Sequence, residues 1–98
     1  MKNIKISQLQ GRNGPVKNQF IIKQKDFNGD FILETFQSYD SIIAIKDYSQ
    51  GVKKIILDKT YWDYSTTTGK YRNLFLHETK KETQTKIDTG VYELQDLN

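Results

Sequence analysis

The sequence predicts an α+β protein: a four-stranded antiparallel meander followed by one or two short helices, in a single domain of 98 residues. Three observations predict it. Runs rich in β-branched residues come in two pairs, each pair joined by a glycine-containing turn. The apolar period changes to helical spacing after Asp58. A Thr-x-x-Glu box then opens a second helical segment. A chain of this length buries one modest core and little more.

The elements follow in order. Residues 1–15 read as a loosely attached N-terminal segment with a short strand at 3–8. "GRNGP" at 11–15, with two glycines and the only proline, separates it from the body. "NQFIIKQ" and "DFILETFQ" flank "DFNGD", in which Asn28-Gly29 is the favoured pair for a two-residue type I′ turn. Phe31, Leu33 and Thr35 then share one face, and Ile32, Glu34 and Phe36 the other. "SIIAIKD" and "VKKIILD" repeat the pattern around "YSQG", so the meander covers roughly residues 18–58. "FQSYDS" at 36–41 joins the hairpins as a link, a bulge or a bent strand.

Tyr71, Leu74 and Phe75 fall at helical spacing. They predict a helix that begins between Ser65 and Lys70 and turns these three residues to the core. Ser65 or one of Thr66 to Thr68 caps it, because a hydroxyl accepts a bond from an orphan backbone N–H. "TKKE", Thr79 to Glu82, predicts a second helix over 80–88 that stops at Gly90. "VYEL" closes the chain as a short strand or an extended tail.

Composition excludes most chemistries. There is no cysteine, so no thiol nucleophile, thiolate metal site or disulfide, and the zero count fits a reducing cytosol. His77 is the only histidine, which removes histidine clusters and two-histidine acid–base pairs. "TTTGKYR" fails as a phosphate-binding loop, with Tyr64 in place of its first glycine and Tyr71 in place of its Ser/Thr. "DFNGD" lacks the later ligands of a calcium loop. Asp63 stands among Trp62, Tyr64 and Ser65, a place better suited to bonding helix-start donors than to catalysis. No catalytic residue, metal site or cofactor is expected. With no apolar run long enough for a signal peptide or a membrane span, a cytoplasmic protein is expected.

Charge and aromatics point to a partner. Residues 1–25 hold Lys2, Lys5, Arg12, Lys17, Lys23 and Lys25 and no acid, whereas residues 26–98 hold nine basic and twelve acidic residues. Such asymmetry points to a polyanion, although a solubilising arm has the same composition. "YWDYSTTTGKYRN", residues 61–73, concentrates rings, hydroxyls and cations. Trp62 and the tyrosines either close the core, stack on bases, or anchor a protein partner. On the nucleic-acid reading Lys5, Arg12, Lys17, Lys70 and Arg72 contact phosphates, while Trp62 and Tyr64 stack.

The segments "NQFII", "FQSYDSIIA", "WDYSTTTGKYRNLFL" and "ETQTKIDTGVYELQDLN" resemble a family of small uncharacterised proteins of phages and other mobile elements in Gram-positive and gut bacteria. The likeness runs from Asn18 to the end. It implies a genetic setting and a bacterial host cytoplasm, and no activity. In topology alone, four antiparallel strands followed by a helix resemble the transcriptional coactivator family that binds single-stranded DNA. No motif is shared and no residue is carried over. The expectation is therefore a non-enzymatic binding protein of a phage or mobile element, contacting nucleic acid or a nucleic-acid-bound host complex. The alternative is an anti-defence inhibitor that acts by protein–protein contact on a host nuclease. An open edge strand could also pair with a second copy, so a homodimer fits the fold.

Overall fold

The computed structural model describes residues 3–98. Lys2, part of the basic N-terminal quarter, lies outside the described residues. Strand β1 (Ile4–Gly11) runs antiparallel to β2 (Gly14–Lys25), from Ile4 opposite Gln24 to Gly11 opposite Gly14. This corrects the loose attachment expected of this segment for its described residues, 3–15. The glycine-rich break is the hairpin turn itself, closed by Gly14 at φ 108°, and Leu9 of β1 is buried in the core.

The β2–β3 connection also differs from expectation. Residues 26–30 separate β2 from β3 (Phe31–Ser38), and within the closing Asp26–Asp30 pair the loop is Phe27, Asn28 and Gly29, three residues rather than two. Gly29 N–H donates to the Asp26 carbonyl at 3.0 Å, and Asp26 N–H to the Asp30 carbonyl at 2.9 Å. Gly29 sits at φ 87°, and Asn28 is not among the positive-φ residues. Asp26 explains the change: its Oδ1 accepts the N–H groups of Asn28 and Asp30 at 2.9 and 3.0 Å, locking the wider turn. Gly29 takes the left-handed place that follows such a turn. Gly29→Val should therefore lose about 1–3 kcal/mol in urea denaturation. An unchanged midpoint would mean that residue 29 does not hold positive φ.

Strand β4 (Ser41–Asp47) follows a two-residue turn with Tyr39 at φ 55°, and a register shift between Phe36 and Gln37 marks a bulge. Strand β5 (Lys54–Asp58) pairs antiparallel with β4, and β6 (Glu93–Gln95) pairs parallel with β5. The α+β class holds, but the described residues form six strands in sequence order and not a four-stranded meander. The N-terminal segment and "VYEL" supply the two extra strands.

Helix α1 (Thr66–Leu76) is capped by Ser65, whose hydroxyl accepts from Thr68 N–H, and ends where His77 turns to φ 57°. Its buried side is Thr68, Gly69, Arg72, Phe75 and Leu76. Leu74, expected in the core, is 43% exposed, and Tyr71 is half-buried. The helix is rotated from the apolar pattern because an arginine occupies a core position. Helix α2 (Lys80–Asp88) carries the expected capping box, with Thr79 N–H to Glu82 Oε1 at 3.0 Å and Glu82 N–H to Thr79 Oγ1 at 3.2 Å. Gly90, at φ 80°, follows its C-cap.

Between the helices, the Glu78 carboxylate accepts from Thr83 Oγ1 at 2.6 Å, Lys86 Nζ at 2.7 Å and Tyr92 OH at 2.7 Å. Burial opposes its charge, yet these donors outweigh burial and hold its pKa below the ordinary value. Burial and the same contact push the Tyr92 hydroxyl up to about 12.

Register defines the two faces of the sheet. Phe36 stands opposite Ile21 and Ala44, and Ala44 opposite Leu57. This face meets α1, where the Phe36 and Phe75 rings lie 5.7 Å apart and Lys46 Nζ sits 4.3 Å from the Phe75 ring centre. The buried cluster lies between this face and the helical side, with Leu9, Ile43, Ile55 and Tyr92 completing it. No helix among the described residues is long and apolar enough to cross a membrane.

Candidate functional site

The stretch from Asp58 to Asn73 is built around two charged side chains that reach inward. Asp58 closes β5 and is 1% exposed. Its carboxylate accepts the N–H groups of Thr60 (3.0 Å), Tyr61 (2.7 Å) and Leu97 (2.7 Å). Burial works against its ionisation, but the backbone donors prevail and hold it below its ordinary value of 3.8. One carboxylate thus fixes both the turn that leads to the aromatic segment and the C-terminal tail.

Arg72 is the second. It was expected at a phosphate, but it is fully buried, and that expectation is corrected. Its Nη1 donates to the Trp62 carbonyl at 2.6 Å and stands 3.5 Å from Asp63 Oδ1, while Nη2 donates to Asn73 Oδ1 at 2.9 Å. The guanidinium carbon lies 5.2 Å from the Trp62 ring centre. Burial lowers the Arg72 pKa and Asp63 pushes back, leaving a cation held in place by the loop it organises. Trp62 is half-buried against the core and committed to this contact, so its ring combines the core and cation-stacking roles.

An open cleft of about 580 Å³ lies over this arrangement, along the first turn of α1. Lys70, Arg72, Lys80 and Asp63 bring its charge to +2, and Ser65 and Thr66 add hydroxyls. Asp63 joins the two helices, with its Oδ2 2.8 Å from Lys80 Nζ. Gly69 also lines the cleft. A Cβ there would meet only the Arg72 guanidinium, at 3.7 Å, which is ordinary contact, and the residue is helical. Neither backbone conformation nor packing therefore requires a glycine that weakens the helix by about 0.5–1 kcal/mol.

On the other side of Ser65 is a second cleft, of about 330 Å³, lined by Tyr39, Tyr61, Tyr64 and Thr68 among others. Tyr39 and Tyr64 are 57% and 68% exposed. Tyr64 packs edge-on against Tyr61 with ring centres 5.3 Å apart. Ser38 and Thr68 share a hydroxyl–hydroxyl bond of 3.1 Å that ties the β3 end to α1.

The remaining expected residues do not form one patch. Lys70 is exposed at the first cleft and Tyr64 at the second. Arg12 lies in the β1–β2 turn and Lys17 in β2 near it, both exposed. Lys5 is at the far end of β1, some seven residues or about 23 Å from Arg12 along an extended strand. It shares a third cavity with Lys23, Lys25 and Phe31. Lys80, Asn73 and Tyr39 were not anticipated. Lys80 arrives through the Asp63 bridge and Tyr39 through the β3–β4 turn, and neither contact leaves a local pattern in the sequence.

A search of curated proteins and a search of solved structures each found no match to this chain. The model of DUF8033, a family of unknown function, matches residues 6–90 and spans both clefts, and the chain belongs to that family.

Proposed function

We propose that this is a non-enzymatic binding protein of a phage or mobile element. It acts in the bacterial host cytoplasm without a cofactor and contacts nucleic acid or a nucleic-acid-bound host complex. The observation that carries this reading is the pair of clefts that share Ser65. One offers Lys70, Lys80 and the first-turn hydroxyls of α1 to a phosphate. The other offers the exposed Tyr39 and Tyr64 rings to a base. Arg72 sets the shape of the first cleft from below, and Trp62 holds Arg72. Lys5, Arg12 and Lys17 contribute long-range attraction, being spread too widely for a single contact.

The test is fluorescence anisotropy with short labelled single strands at several salt concentrations. Replacing Lys70 and Lys80 by alanine should flatten the slope of log K against log salt by about 1.4, at about 0.7 per phosphate contact. Tyr64→Ala should weaken binding by about 1–3 kcal/mol and leave the slope unchanged. No binding to single- or double-stranded DNA or RNA at low salt would overturn the reading. The inhibitor reading would then take these exposed tyrosines and lysines as anchors for a host nuclease.

A further inference from the structure

The sheet has a second face that no helix covers. Ile6, Ile22, Thr35, Ile45 and Ile56 stand opposite one another in a row that crosses five strands. Alternation along the strands places Ile4, Phe20 and Leu33 on the same side. Thr35 and Ile56 are only 6% and 8% exposed and Phe20, Ile22, Leu33 and Ile45 are half-buried, yet none of them belongs to the cluster under the helices. Ile4 and Ile6 are 50% and 64% exposed. The molecule is 23 Å through its thinnest dimension, the depth of one helical layer on one sheet.

The charges are distributed unequally between the two faces. Lys5, Lys23, Glu34 and Lys46 stand in one cross-strand row on the helical face. Among the described residues, the uncovered face of β1, β2 and β3 carries apolar side chains, threonine and glutamine, and no charge. Ionised groups enter it from β4 onward, where Asp47 stands opposite Leu33 and Lys54 and Lys54 pairs with Glu93 at 3.1 Å. Such a surface has nothing to hold a phosphate or an anionic lipid headgroup. It meets its own copy without placing like charges together.

The chain exposes 6577 Å², against about 5,800 Å² for a compact monomer of its mass, as befits a sheet covered on one side only.

We propose that a second copy of this chain covers the open sheet face, the two sheets packing about 10 Å apart across a two-fold axis. The helices and both clefts then point outward on opposite sides, and one dimer presents two binding sites. This arrangement differs from pairing at an edge strand, because side chains rather than backbone groups make the contact.

Sedimentation equilibrium of the full chain at micromolar to submillimolar concentration tests it. The expected mass is twice the monomer's 11.5 kDa. Ile6→Glu, at an exposed position, should raise the dissociation constant by about tenfold or more. Gln8→Lys, on the same face, should act in the same direction and decides the matter if Ile6→Glu does not fold by circular dichroism. Val91→Glu, 65% exposed and outside the sheet, should leave the dimer unchanged. A wild-type monomer throughout, or a dimer indifferent to both face substitutions, overturns the proposal. So does a dimer that Val91→Glu weakens as much as they do.

Discussion

Asp58→Ala should be among the most damaging single substitutions in the chain, lowering stability by about 3–5 kcal/mol in urea denaturation. The carboxylate is buried and accepts three backbone N–H groups. Removing it leaves three part-buried donors without their acceptor, and an unsatisfied buried donor costs about 1–3 kcal/mol. The effect should also depend on pH. The folded-state pKa of Asp58 lies below the ordinary 3.8. Its contribution is therefore fully present above that ordinary value and is lost as pH falls through the lower, folded-state value. The alanine variant should lose part of the wild type's acid sensitivity. Equal stability of the two proteins at pH 7 would show that the turn and the tail do not depend on this carboxylate.

Arg72→Ala should lose about 3–5 kcal/mol, through two charge-assisted hydrogen bonds and the packing of a fully buried side chain. Arg72→Lys keeps the charge but cannot satisfy the Trp62 carbonyl and Asn73 Oδ1 in the same plane, so it should recover only part of that loss. The Trp62 environment offers a direct readout. Its fluorescence should shift to the red in the alanine variant, because the ring loses the guanidinium stacked 5.2 Å away and gains water. Wild-type stability with an unshifted spectrum would return Arg72 to the surface role its residue type suggests.

Arg72 also shows where reading the sequence stops. A helix starting between Ser65 and Lys70, a hydroxyl cap among Ser65 and Thr66 to Thr68, and the α2 capping box were legible because their causes are local: a hydroxyl next to orphan N–H groups, and a threonine three residues before a glutamate. The buried face of α1 was not. Apolar spacing assigned Leu74 to the core, and only the contacts of Trp62, Asp63 and Asn73 make it favourable to bury an arginine there instead. The same division applies to the strands. Asn28-Gly29 marked a turn correctly, but the Asp26 carboxylate decided its length. β6 is three residues long and owes its existence to pairing with β5, 37 positions earlier in the chain. The cations of residues 1–25 follow one another with no acid between them, yet an extended strand separates Lys5 from Arg12. A charge count along the chain could not show this.

Gly69→Ala tests most directly whether residues 61–73 serve a ligand and not only the fold. The glycine is helical, has room for a methyl group and faces the cleft. If the cleft receives a phosphate beside the α1 backbone, the missing Cβ is what permits the approach. Stability and binding should then move in opposite directions: unfolding free energy should rise by about 0.5–1 kcal/mol while affinity for a single-stranded oligonucleotide falls. A stabilised variant that binds as tightly as the wild type would contradict the account, and so would one whose binding falls only because its fold is weakened.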